Sequence, residues 1–346
     1  LRVHVTDLKN GDFLREDAFS SRGIHVLSKG TQLRIEEISK LMQHGVDYVD
    51  IEARDEVLIT SSKPQTIQKL TKNFDQMIDG FESLYLEALA KGSFNKTMVD
   101  DVLQPMLGSL DKQKDVVTLL LLLDRDDNYT YNHSLQVGML SYYISSWLGY
   151  TKKESYEISR AGYLIDIGKC QVSSELLNKP GKLTTAEFDE VKRHTTYGYE
   201  IIRNSMDDHN TALVALQHHE REDGSGYPDR LTKSEINPYA QIAAIADVYS
   251  AMTTPRIYQS KQELISVLRE IHNLSFGKLN ARSVHAFIQH LMPNFIGKRV
   301  LISTGDMGVI IMNNPTDVFR PLIQIGNLFC DLSRERHISI VEIYME

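Results

Sequence analysis

Cysteine is scarce: Cys170 and Cys330 are the only two in 346 residues, far apart and without the paired spacing of a metal knuckle. So few thiols build no disulfide framework and suit a reducing compartment, so a cytoplasmic protein is expected. Long apolar runs are missing too. The longest, Val116 to Leu123, falls well short of the roughly 20 residues a helix needs to span a bilayer. Positive charge is not in excess either, since the formal net charge is −8. Such a surface repels polyanions, which argues against DNA or RNA as a partner but leaves room for a small anion in a locally positive pocket. The chain opens on Leu1 and lacks the charged-then-apolar layout of a signal peptide. It reads as a fragment, with the question of an upstream membrane segment left open. Internal repeats and low-complexity tracts are absent.

What is there is an ordinary globular composition, 42% hydrophobic and 24% charged, in a chain long enough for two or three domains. From Leu1 to about Ile51, alternation in Val3-His4-Val5 and Ile24 to Leu27 predicts short strands, with turns at Asn10-Gly11 and Lys29-Gly30. Glu36 to Gln43 reads as a helix stopped by Gly45, before a strand near Tyr48 to Ile51, and Thr60 to Pro64 reads as a linker. Long helices are expected over Ile67 to Lys91 and Thr97 to Leu123, and a succession of helices from Tyr131 to Leu291. Thr151…Glu154 and Thr184…Glu187 have capping-box form, and Gly149 marks a helix end. Beyond Pro293 four short strands are expected, in Arg299 to Met312 (two), Pro321 to Ile325 and Ile338 to Tyr344. The expected fold is mainly α: a small β-rich domain (1–60), a helical linker region (61–110), a helical domain (111–292) and a small antiparallel β module (293–346).

The helical body carries ligand-type side chains in apolar surroundings: His133, Asp166, His194, His218, His219 and Asp247. Imidazole and carboxylate together suit zinc, iron, manganese or nickel. Asp247 sits in the almost wholly apolar stretch Gln241 to Tyr249, and a buried carboxylate needs a metal, an N–H or a cation beside it. A single histidine is more often hydrogen-bonded or solvated than ligating, so His4, His25, His44, His209, His272, His285, His290 and His337 are read as scaffold or surface. The adjacent pair His218-His219 differs, because neighbours on a helix point about 100° apart. Both reach one centre only near a helix end, and a loop, Arg221 to Pro228, follows them.

That loop completes "HHEREDGSGYP" (His218 to Pro228), which resembles the HHExxDGxGYP motif of the HD-GYP family of metal-dependent cyclic di-GMP phosphodiesterases. "LIDIGKCQVSSELLNKPGKLT" resembles the family's HDIGK…KPGxLT stretch, "VKRHTTYGYEII" its next His motif and "AIADVYSAMTTPRIY" its closing Asp–Arg motif. The likeness runs in order from about Tyr129 to Tyr258, and implies an HD-type all-helical metallohydrolase core flanked by the two β-rich modules. It also implies a metal pair bridged by Asp166, with His194, His218 and His219 on one side and His133 and Asp247 on the other. Asp166 and Lys169 would be the catalytic residues. Lys169, Gly226, Tyr227, Pro228 and Arg256 would meet the substrate, cyclic di-GMP, in bacterial signalling.

The departures matter. The first His of the family's HD pair is Ile165 here, which has no lone pair to donate. One metal is therefore expected to be firm and the second weak or absent. Tyr129 replaces the Glu of members with a third metal, Ser250 a usual Asp, and Gln259 a usual cation. The expected activity is a weakened cyclic di-GMP phosphodiesterase. The alternatives are an inactive domain that senses the nucleotide or binds a protein, and a hydrolase of another phosphate ester. A homodimer contact or a regulatory partner is the expected role of the β modules.

Overall fold

The computed structural model describes residues 2–5, 8, 12–20, 23, 25–44, 46, 48–52, 65–110, 116, 119, 129–253, 264–314 and 316–344. Asn10, Gly11, Ile24, Gly45, the linker Thr60 to Pro64, much of the run ending at Leu123, the side chain of Tyr129, Arg256 and Gln259 lie outside them. The chain divides into two compact units, Leu1–Lys69 and Leu70–Glu346.

In the first unit, β1 (Arg2–His4) pairs antiparallel with β4 (Tyr48–Asp50), and β2 (Ala18–Phe19) with β3 (His25–Leu27). Helix α1 (Ile35–Gln43) lies between β3 and β4 in the chain and buries Leu41. A small apolar core of Val3, Leu14, Val26, Leu33, Leu41, Val49 and Ile51 holds it together. The short strands follow from the period-two alternation that places Val3 and Val49 inward opposite each other.

The second unit is helical up to Phe295. Its helices among the described residues are α2 (Gln65–Lys91, which starts within the first unit), α3 (Lys96–Leu110), α4 (Tyr129–Trp147), α5 (Lys152–Tyr163), α6 (Ser174–Leu177), α7 (Thr185–Lys192), α8 (His194–Ser205), α9 (His209–Gln217), α10 (Pro238–Thr253), α11 (Leu264–Leu274) and α12 (Ala281–Leu291). Both expected capping boxes form. Thr151 Oγ1 accepts from Glu154 N–H at 3.2 Å while Glu154 accepts from Thr151 N–H at 2.8 Å, and Thr184 and Glu187 do the same at 3.3 and 2.8 Å. Gly149, at φ +86°, takes the left-handed conformation that ends the turn after α4.

Helices α4 and α10 run through the middle of this unit. Both are buried over most of their length on all sides, so neither shows an amphipathic stripe. They bring His133, Gln136, Asp247 and Ser250 to the interior. Between α5 and α6 a 3-10 turn, Ile167–Gln171, presses on α8. A Cβ at Gly168 would stand 2.0 Å from the His194 carbonyl and 2.3 Å from Gly198 N, so the turn reaches α8 only because it carries no side chain there. That approach sets Asp166 beside His194.

After Pro293 comes an antiparallel sheet of β5 (Arg299–Ile302), β6 (Met307–Met312), β7 (Leu322–Ile325), β8 (Leu328–Asp331) and β9 (Ile340–Tyr344), in the order β8-β7-β6-β5-β9. Its inward Val300, Ile302, Ile310 and Ile323 belong to the same apolar core as the helices. Strand β8 is one more than the four expected. Its Leu328 and Phe329 are 75% and 65% exposed, so it lacks the apolar-polar alternation by which a strand is read. No helix among the described residues is long and apolar enough to cross a membrane.

Candidate metal centre

Six side chains from five parts of the chain meet. Asp166 lies just before the 3-10 turn, His194 begins α8, His218 and His219 follow the end of α9, and His133 and Asp247 come from the central helices. His133 Nε2 is 3.4 Å from Asp166 Oδ2 and 3.2 Å from Asp247 Oδ1. His194 Nε2 is 3.5 Å from Asp166 Oδ1, and His219 Nδ1 is 3.7 Å from Asp247 Oδ2. One donor atom from each of His194, His218 and His219 falls within 4.8 Å of the others. All six residues are buried or nearly so.

Hydrogen bonds settle which nitrogens face inward. His194 donates Nδ1–H to the Val191 carbonyl at 2.7 Å, and His218 donates Nδ1–H to the Ala215 carbonyl at 2.9 Å. A carbonyl only accepts, so in each ring Nε2 keeps its lone pair. Those two Nε2 atoms are 3.4 Å apart. Burial, partly opposed by the neighbouring carboxylates, pushes His194 down to about 4 and holds His218 below the ordinary histidine value. His219 is pushed well down by burial and by the imidazoles beside it. Two neutral lone pairs facing each other next to a carboxylate repel unless a cation lies between them. The donor set fits a divalent transition metal.

Asp166 is the hub. Burial favours its neutral form, but the Lys169 ammonium and the imidazoles of His194, His133 and His218 outweigh that and hold the carboxyl well below the carboxylate range. Lys169 Nζ reaches Asp166 Oδ2 at 2.6 Å. Asp247 is likewise lowered, with burial overcome first by the His133 imidazole, whose Nε2 lies 3.2 Å from its Oδ1. Ile165 is fully buried within the apolar core.

The loop after His219 is folded by Glu220, which is 2% exposed. Its two carboxylate oxygens accept from Asp229 N at 2.7 Å and Leu231 N at 2.9 Å. Arg221 donates to the carbonyls of His218 and Glu220 at 3.1 and 2.8 Å, securing the helix end. Gly226 must be glycine, since a Cβ there would sit 2.4 Å from Glu220 Cα. The loop thereby lays Tyr227 on His219, with ring centroids 4.7 Å apart. On another side Tyr227 borders a groove of about 700 Å³, lined also by Phe188, Lys192, Arg193, Pro228 and Arg230. Lys192 Nζ stands 4.7 Å from the Phe188 centroid and 5.7 Å from that of Tyr227.

The six expected ligands and Lys169 are thus brought together, with Tyr227 against them. Gly226 and Pro228 shape the loop. Glu220 and Gln136 were not singled out from the sequence. Glu220 stands inside the HHE motif, but its role depends on a loop that folds back. Gln136 lies one helical turn beyond His133, a spacing that brings side chains together on a helix.

Residues 117–275 match the family described as the HD domain. A cyclic di-GMP phosphodiesterase of Thermotoga maritima is 39% identical over 173 residues, 49% of this chain and 47% of that protein. One of Pseudomonas aeruginosa is 29% identical over 244 residues, 70% of this chain and 59% of that protein. A 3'3'-cGAMP-specific phosphodiesterase of Vibrio cholerae is 30% identical over 184 residues, 51% of this chain and 42% of that protein. The chain therefore spans less than two-thirds of the length of these relatives. Among solved structures, an HDG"Y"P protein from Bdellovibrio bacteriovorus superposes with a TM-score of 0.55 at 15% identity, covering 83% of this chain and 97% of that one, a likeness of fold. With its HHE…GYP loop laid against a His and Asp cluster, the chain carries an HD domain over residues 117–275, similar to those of cyclic di-GMP phosphodiesterases.

Proposed function

We propose that this domain is a metal-dependent phosphodiesterase acting on a cyclic dinucleotide, cyclic di-GMP in the first place. The observation that carries the reading is the approach of the His194 and His218 Nε2 lone pairs to 3.4 Å beside Asp166. In this reading Asp166, His194, His218 and His219 hold one ion firmly. His133, Asp247 and the shared Asp166 form a second, weaker position, because Ile165 offers no lone pair. Iron, manganese, nickel and zinc all accept such donors. Bound there, the metal supplies the Lewis acidity that phosphodiester hydrolysis needs.

The chain's own groups do the remaining work. Lys169, already held at Asp166, places a cation where a phosphate oxygen would arrive. Tyr227 links the centre to the groove beside Phe188 and Lys192, which suits a flat base next to a cation. Arg256 is a second phosphate contact in this reading. The names of the relatives from Thermotoga maritima, Pseudomonas aeruginosa and Vibrio cholerae support the substrate class. A second reading, a domain that binds the nucleotide without cutting it, has Ile165 in its favour.

Metal analysis of the purified protein together with cyclic di-GMP cleavage in Mn²⁺, Fe²⁺, Ni²⁺ and Zn²⁺ tests the proposal. About one ion per chain and slow, metal-dependent cleavage are expected. Binding without cleavage in every metal would establish the sensor instead, and failure to bind the nucleotide would remove both readings.

A further inference from the structure

His133 is oriented differently from His194 and His218. Those two turn Nδ1 to main-chain carbonyls a few residues before them in the chain. His133 turns Nδ1 to the Ser250 hydroxyl of α10, 2.9 Å away, and Ser250 in turn donates to Gln136 Oε1 on α4 at 2.7 Å. His133, Ser250 and Gln136 are 2%, 0% and 4% exposed, so bulk solvent does not reach the arrangement.

The proton inventory gives the chain a direction. The amide oxygen of Gln136 has no proton, so Ser250 donates there. A hydroxyl has one proton, so Ser250 meets His133 as an acceptor and Nδ1 of His133 is the donor. Nε2 is then the nitrogen left toward Asp166 and Asp247, at 3.4 and 3.2 Å. The geometry points to Ser250 and Gln136 as positioning residues, a neutral relay that holds His133 in the ring orientation and tautomer needed to ligate the second metal position. This position lacks the donor that Ile165 cannot provide, so it depends more than the first on each remaining ligand being preset. A relay without charge also lends the imidazole less basicity than a carboxylate partner would. The inference rests on the cluster being a metal centre.

The test is a competition titration of metal-free protein with Zn²⁺ against a chromophoric chelator, for wild type, Ser250→Ala, Ser250→Thr and Gln136→Glu. Two steps are expected in wild type, the second much weaker than the first and filled only with added Zn²⁺. Ser250→Ala should weaken the second by roughly 10- to 100-fold, the usual cost of removing a ligand's hydrogen-bond partner, and leave the first unchanged. Ser250→Thr keeps the hydroxyl and should titrate as wild type, whereas Gln136→Glu keeps an acceptor and adds charge, so its second step should be at least as tight as in wild type. In the zinc-loaded protein, nitrogen NMR should find His133 protonated at Nδ1. An unchanged second step in Ser250→Ala, a single-step wild type, or Gln136→Glu behaving like Ser250→Ala would each overturn the relay. A wild type that binds no Zn²⁺ at all would instead remove the metal-centre reading beneath it.

Discussion

Isoleucine at position 165 stands where the family resemblance implies a metal-ligating imidazole, and it is packed as an ordinary core residue. Its side chain is fully buried and lies in the same apolar core as Leu164 and Ile167, so the local fold has no need of a polar group there. Ile165→His is expected to raise metal content from about one ion per chain toward two and to speed cyclic di-GMP cleavage, measured by metal analysis and turnover on the same sample. Without metal, the same variant buries an unpaired imidazole at a cost of about 1–3 kcal/mol, and its melting temperature should fall until metal is added. A variant as stable as wild type without metal and unchanged in metal content would show that position 165 does not face the centre. The clustered side chains were legible at this scale because imidazoles and carboxylates in apolar stretches are conspicuous. Gln136 was not legible, since an amide on a buried helix has many ordinary partners.

At the scale of elements, the centre depends on how closely the 3-10 turn Ile167–Gln171 meets α8. Gly168 and Gly198 face each other there, and a Cβ on Gly168 would run into main-chain atoms that cannot rotate away. Gly168→Ala is expected to destabilise the protein by about 3 kcal/mol, the upper part of the range for overpacking. It should also weaken metal binding, because Asp166 and His194 sit at the two sides of that contact. Denaturant unfolding and metal titration on one preparation check both effects, and a stable variant that binds metal normally would contradict the argument. Helix caps at Thr151 and Thr184 were readable in advance because a capping box is a local pattern. Strand β8 was not, since its exposed Leu328 and Phe329 carry no alternation and its place is set by pairing with β7.

For the whole molecule, the cluster is expected to tie stability to metal and to pH. A metal that binds only the folded chain stabilises it by about 2.7 kcal/mol at a hundredfold excess over its Kd. Melting temperature should therefore rise with added Mn²⁺ or Zn²⁺ and return with a chelator, and no response to either would count against the centre. In the metal-free protein, burial holds His194, His218 and His219 below the ordinary histidine value, His194 at about 4. Unfolded histidines titrate near pH 6.5. Between these values the unfolded chain binds protons that the folded chain does not, so stability rises with pH. It should be full above about 6.5 and fall as the pH drops toward 4 for His194. Asp166 and Asp247, also held low, extend the loss into the carboxylate range. Melting curves of chelated protein from neutral to acid pH check this, and a flat profile would sink it.

By itself the sequence determined the family resemblance, the helical body between β-rich ends, and the set of candidate donors, because those depend on residue type, spacing and local capping. Tertiary structure decided how the donors are used. His133 and Ser250 are 117 positions apart, and only the packing of α4 against α10 makes them partners. The pairing of Lys169 with Asp166, the Glu220 clasp on the GYP loop and the inward Nε2 atoms of His194 and His218 likewise exist only after folding. A hydrogen bond's direction and a lone pair's aim are properties of distance and angle, which residue identity alone does not carry.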